Sequence, residues 1–131
     1  MKTKRFSAAC LLCVMGFCVL LLGSPRPDGD IPLAFRGEVM DSVCAQSGSH
    51  DAVMRSKGIT DSRNCVAECL KDGGKLVLRD AATGSVYGLD AGRSLFNQDR
   101  LLEFAGERVK IVGSLDKNAN RIWHIQSVEP L

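Results

Sequence analysis

Cys44, His50, Cys65 and Cys69 fall within one short stretch of this chain, and thiolate and imidazole together make a metal-binding set. Two thiolates four residues apart on a helix lie one turn above the other and can grip the same ion. A third thiolate and an imidazole from the preceding segment would complete a tetrahedral Cys3His site, suited to zinc or, through its soft sulfurs, to cuprous copper. The order Cys-x5-His-x14-Cys-x3-Cys contains no Cys-x-x-Cys knuckle and no Cys-x-x-Cys-His haem attachment, so the residue types carry more of this expectation than the spacing does.

The same sulfurs support a second chemistry. A bond from Cys44 to Cys65 or Cys69 would close a loop of about 20 residues and stabilise the fold by roughly 3 kcal/mol in the chain-entropy model. A Cys65–Cys69 bond would join α-carbons about 6 Å apart. With three cysteines beyond the N-terminal segment, one thiol is left over in either pairing. A thiol oxidoreductase would use Cys65 near a helix N-terminus, where the dipole lowers a thiol pKa, with Cys69 or Cys44 resolving. Redox helices, however, ordinarily carry a Cys-x-x-Cys pair, absent here beyond the N-terminal segment. There is no Gly-x-Ser-x-Gly, phosphate loop or dinucleotide fingerprint, so no catalytic residue is assigned and an enzyme is not expected. Asp41, three residues before Cys44, suits either a hydrogen-bond acceptor behind a ligand or a strand-end turn. His124 reads as a partly exposed sheet residue sharing a face with Ile122, Gln126 and Val128.

The N-terminus sets the compartment in which this chemistry would occur. Lys2, Lys4 and Arg5 precede an uncharged apolar run from Phe6 to Leu22, and Gly23-Ser24-Pro25 breaks it, the pattern of an export signal. Residues 1–23 are therefore expected to be a signal peptide or an N-terminal anchor, since an apolar run of about 17 residues also lies at the lower edge of a membrane span. Cys10, Cys13 and Cys18 are apolar filler of that run; Phe17 stands where lipoprotein processing of Cys18 would need a small residue. The expected location is periplasmic or secreted, with membrane contact only through residues 6–22. The whole chain has 17 basic and 15 acidic residues; without Lys2, Lys4 and Arg5 the balance is 14 against 15. So neutral a domain, with Tyr87 and Trp123 isolated, offers no footprint for nucleic acid.

Residues 24–31, with Pro25, Pro27 and Gly29, read as a linker into a domain spanning 32–131. The elements that must carry the cluster follow from the periodicity. Leu33 to Val43 predicts a strand with Gly37 as a bulge. A helical insertion at about 49–73 follows: a short helix from His50 to Lys57 capped by Ser49, then a helix over Ser62–Asp72 capped by Thr60 or Asp61 and stopped by Gly73-Gly74. Lys75–Arg79 and Ser85–Leu89 form a hairpin, residues 93–107 a loop with a short helix, and 108–115 with 121–128 the strongest strand pair. Five short strands and a helical insertion predict a mainly β (α+β) domain, a small OB-like five-stranded barrel, where a sandwich would want about seven strands.

Phe35-Arg36-Gly37-Glu38-Val39-Met40-Asp41-Ser42-Val43-Cys44, then His50, then Cys65-Val66-Ala67-Glu68-Cys69, then the segment Phe104–Asp116, resemble a family of bacterial exported domains of unknown function. The Cys/His arrangement is the specific part of that resemblance, and the closing hairpin is similar to the ends of other exported OB-like barrels. The resemblance implies a fold and a shared site, without an activity.

Overall fold

Nine residues of extended backbone, β1 (Leu33–Asp41), begin the domain in a computed structural model that describes residues 31–92 and 95–131. The expected export segment and nearly all of the expected linker lie outside the described residues. β1 pairs with β4 (Arg108–Asp116) through Leu33–Glu38 and with β2 (Leu76–Arg79) through Glu38–Asp41, so one strand serves two neighbours in turn. Gly37 stands at the changeover. It pairs in regular register with Val109, which corrects the expected bulge, and a Cβ there would collide with the carbonyl of Arg79. The glycine is explained by the close approach of two backbones.

The sheet continues through β3 (Val86–Leu89), antiparallel to β2, to β5 (Arg121–Pro130), which runs parallel to β3 and antiparallel to β4. The order β1-β2-β3-β5-β4, with β4 returning to β1, closes the sheet on itself and leaves no long free edge. The protein is thus mainly β, a five-stranded closed sheet with a few helices. Val39, Leu76, Leu78, Val109, Ile111, Ile122 and Ile125 fill the interior. Val66 of α3 (Ser62–Lys71) and Leu101 of α4 (Gln98–Leu102) join them.

β5 departs from simple alternation. His124 adopts φ 48°, in the left-handed region, next to a register shift between Val112 and Ser114 on β4. The irregularity resets the phase so that Ile122 and Ile125 are both buried while His124 faces solvent. His124 therefore does not share the face of Ile122 and Val128, contrary to strict alternation. Gly113 makes room for the irregularity, since a Cβ there would sit 3.0 Å from both Ile122 Cγ2 and the carbonyl oxygen of Trp123.

Alternation does hold along β1 and β2, and it creates a second face. Val39 points into the closed sheet, and its neighbour Met40 points away from it, opposite Val77 of β2. On that outer face Met40 and Val77 pack with Cys44 and Ala45 of α1 (Ser42–Ser47) and with Cys65 and Cys69 of α3; Val53 and Met54 of α2 (Asp51–Lys57) close the margin. α2 and α3 match the expected helices to within a residue. α1 is new: the strand ends at Asp41, where extension to Val43 was expected.

Candidate metal site

Asp41 makes the site by ending β1. Its backbone is extended, and its Oδ1 accepts hydrogen bonds from the N–H groups of Val43 and Cys44, each 2.9 Å long. That is an N-cap, worth typically about 1 kcal/mol, and it turns the chain sharply enough to bring Cys44 back over the carboxylate. Ser47 Oγ donates to the carbonyl of Cys44, and Gly48, at φ 80°, closes the helix after two turns at most. Ser49 Oγ accepts from Asp51 N–H, so the expected Ser49 cap is partly realised, but His50 itself is the residue that precedes α2. Asp61 caps α3 through Asn64 N–H and sets Cys65 in its first turn.

Asp41, Cys44, His50 and Cys65 converge. One ligand atom from each lies within 4.8 Å of all the others, and all four residues are buried. Asp41, Cys44 and Cys65 are wholly buried and His50 is 6% exposed. The sulfurs of Cys44 and Cys65 are 3.8 Å apart, and both are free thiols. Two thiolates bound tetrahedrally at about 2.3 Å to one ion would themselves lie about 3.8 Å apart. The arrangement is therefore able to hold a metal ion without moving these two sulfurs relative to each other.

Cys69 falls outside that group. It is buried in the same apolar cluster, one helical turn beyond Cys65 on α3, and it borders Cys44 and Asp41 without joining the four ligand atoms that converge. Asp41 stands in the group in its place. The sequence placed Asp41 beside the site as an acceptor or turn residue; what it missed was that one carboxylate oxygen can cap the helix while the other faces the ligands. The signal available was the Asp41-Ser42-Val43-Cys44 order itself, an Asx residue at the end of a strand three positions before a cysteine.

Buried polar atoms are nearly always paired, and here three are not. Asp41 Oδ2 and both ring nitrogens of His50 have no hydrogen-bond partner. His50 Nδ1 lies 4.0 Å from Asp41 Oδ2, and Nε2 lies 3.2 Å from Glu38 Oε1 but out of line for a hydrogen bond. Leaving such groups desolvated and unpaired costs about 1–3 kcal/mol each, more for a charge. An ion among them would satisfy the carboxylate and one ring nitrogen together.

The electrostatics set a cost that a bound ion would have to overcome. Burial pushes the Cys44 thiol far up from its ordinary value, with the Asp41 carboxylate and Cys65 adding to the shift. The Cys69 thiol is pushed up to about 11, by burial first and then by the charge of Asp41 and the presence of Cys65. Without a cation these sulfurs hold their protons; a divalent ion reverses that balance, because its own charge is the largest in the site. Comparison with family models, with curated proteins and with solved structures finds no match to this chain, so the site stands on its own chemistry.

Proposed function

We propose that this protein is an exported, non-catalytic metal-binding module built on an OB-type barrel, in which Asp41, Cys44, His50 and Cys65 hold one divalent ion. The observation that carries the reading is the coincidence of orphaned, buried Asp41 Oδ2 and His50 with two thiols 3.8 Å apart. The sheet order β1-β2-β3-β5-β4-β1, with its parallel β3–β5 closure, supports the OB assignment. The basic, then apolar, N-terminus supports export, in keeping with the resemblance to exported domains of unknown function.

The donor set favours zinc over cuprous copper. Two thiolates, a carboxylate and a neutral imidazole carry three negative charges, which a divalent ion offsets better than a monovalent one, and the hard carboxylate suits zinc better than cuprous copper. Four protein donors leave no open position for water or substrate, the arrangement of a structural centre and not of a hydrolytic one. Its physical role is to fasten α1, the His50 segment and α3 to the outer face of β1. Cys69 stays a neighbour available to replace a ligand.

A second reading is favoured by the same 3.8 Å approach: oxidation would join Cys44 to Cys65 and leave the Cys69 thiol. One experiment separates the two. The exported protein is purified without chelator or reductant, its metal measured by mass spectrometry, and its thiols titrated in denaturant. Zinc near one equivalent with three thiols recovered after chelation supports the metal module. No metal, one thiol and a mass two units light supports the disulfide.

A further inference from the structure

We propose that Glu38 is the positioning residue of this site: it fixes the His50 ring so that Nδ1 binds the metal and Nε2–H points outward to the Glu38 carboxylate. The inference rests on the metal reading given above and deepens it. The two nitrogens of His50 face different carboxylates. Nδ1 is turned toward Asp41 Oδ2, 4.0 Å away and wholly buried, whereas Nε2 is turned toward Glu38 Oε1 at 3.2 Å. Asp41 belongs to the four-residue group and Glu38 does not. The ring thus spans from the ligand cluster to a carboxylate at its margin, and the Glu38 side chain, 33% exposed, reaches solvent from there.

A ligating imidazole ordinarily donates its other N–H to a carboxylate, a carbonyl or water, which fixes the tautomer and raises the basicity of the bound nitrogen. Neither nitrogen of His50 has a hydrogen-bond partner among the described residues, so no competing acceptor holds Nε2–H. Glu38 is placed for this task by two strands: its backbone sits at the changeover where β1 leaves β4 (opposite Arg108) and joins β2 (opposite Arg79). A small rotation of the half-exposed side chain brings its carboxylate in line with Nε2–H, and the 3.2 Å separation already allows that bond. The consequence is a carboxylate–histidine–metal relay from solvent to the buried ion, with Glu38 touching the ring and never the metal.

The test uses the full 131-residue chain, labelled with 15N-histidine and loaded with zinc. Two-bond 1H–15N correlation spectra distinguish the tautomers, and with His50 and His124 as the only histidines a His124→Gln variant assigns the signals. Expected is an Nε2-protonated, Nδ1-ligated His50 in the wild type and in Glu38→Gln, whose amide oxygen accepts the same hydrogen bond. Glu38→Ala should weaken zinc binding about 10–100-fold, and Glu38→Gln by much less. A residue that only supported the strand would alter the melting temperature of both variants and leave the tautomer and the zinc Kd alone. Ligation through Nε2, or an unchanged Kd in Glu38→Ala, overturns the role of Glu38 while the metal site stands. A wild-type chain that takes up no zinc overturns both.

Discussion

The closed sheet and the cluster on its outer face share a strand but are built by opposite rules. Inside, Val39, Leu78, Ile111 and Ile122 have no polar side-chain atoms, and their backbones are paired by the strand ladders and, at Val39, by Gly106 and Glu107. Outside, Met40 and Val77 meet three cysteines, with a wholly buried carboxylate and a nearly buried imidazole at the edge. Among the described residues the sheet leaves one buried side-chain polar atom unpaired, Ser114 Oγ on β4. The outer cluster holds polar groups that its own residues do not pair, and it is covered by α1 and α2, which have only 6 and 7 residues and would be marginal in isolation. The difference teaches where a ligand would act: its binding should stiffen the helical cover and leave the interior of the closed sheet nearly untouched.

The largest effect should come from breaking the interior. Ile111→Ala removes a wholly buried side chain at the centre of β4 and should cost about 2–5 kcal/mol by urea denaturation, by the same amount with and without zinc. A penalty that depended on zinc would show that the two regions are not separable. Next in size is the ion itself. At a hundredfold excess over its Kd, zinc should stabilise the fold by about 2.7 kcal/mol, a rise in Tm of roughly 10–20 °C for a domain of this size. Cys65→Ser should abolish that rise, and native-state hydrogen exchange should slow in α1 and α2 more than in β4 and β5.

Asp41 gives a finer cut, because its two oxygens do different work. Asp41→Asn keeps an acceptor for the Val43 and Cys44 N–H groups but removes the charge that faces the sulfurs. The metal-free fold should then keep its stability to within about 0.5 kcal/mol while zinc binding is lost. Asp41→Ala should lose both, with a cap penalty of about 1 kcal/mol in the absence of metal. Equal destabilisation by the two variants would mean that Asp41 acts as a cap alone.

These distinctions also show which parts of the molecule were legible beforehand. α2, α3 and the hairpins were, because local chemistry decides them: Asp61 caps, Gly58 at φ 66° stops, and the residues from Asp80 to Ser85 form a turn held by the Asp80 carboxylate. The clustering of Cys44, His50 and Cys65 was legible from residue type. The substitution of Asp41 for Cys69 was not, since it depends on where β1 stops, and Val43 fits the strand pattern until the cap bonds of Asp41 are known. The phase change at His124 was hidden for a related reason. Alternation is a local rule, and the irregularity that resets it is dictated by the facing strand, where Gly113 admits it.

The smallest effect expected is one of pH, and it too separates the regions. In the reduced, metal-free chain the folded state holds the Cys69 proton up to about 11, whereas an unfolded thiol releases it near its ordinary value of 9.0. Between those values the unfolded chain binds fewer protons than the folded one, so stability falls as pH rises through this window and is insensitive to this thiol below it. Cys44, raised by the same burial, adds to the slope. Cys69→Ala should flatten the decline between pH 9 and 11 in urea denaturation at successive pH values, and Ile111→Ala should leave the slope as it is, since it neither adds nor removes a titrating group. A decline just as steep in Cys69→Ala would mean that the thiol is ionised in the fold at its ordinary pKa, and that the outer cluster is wetter than its burial implies.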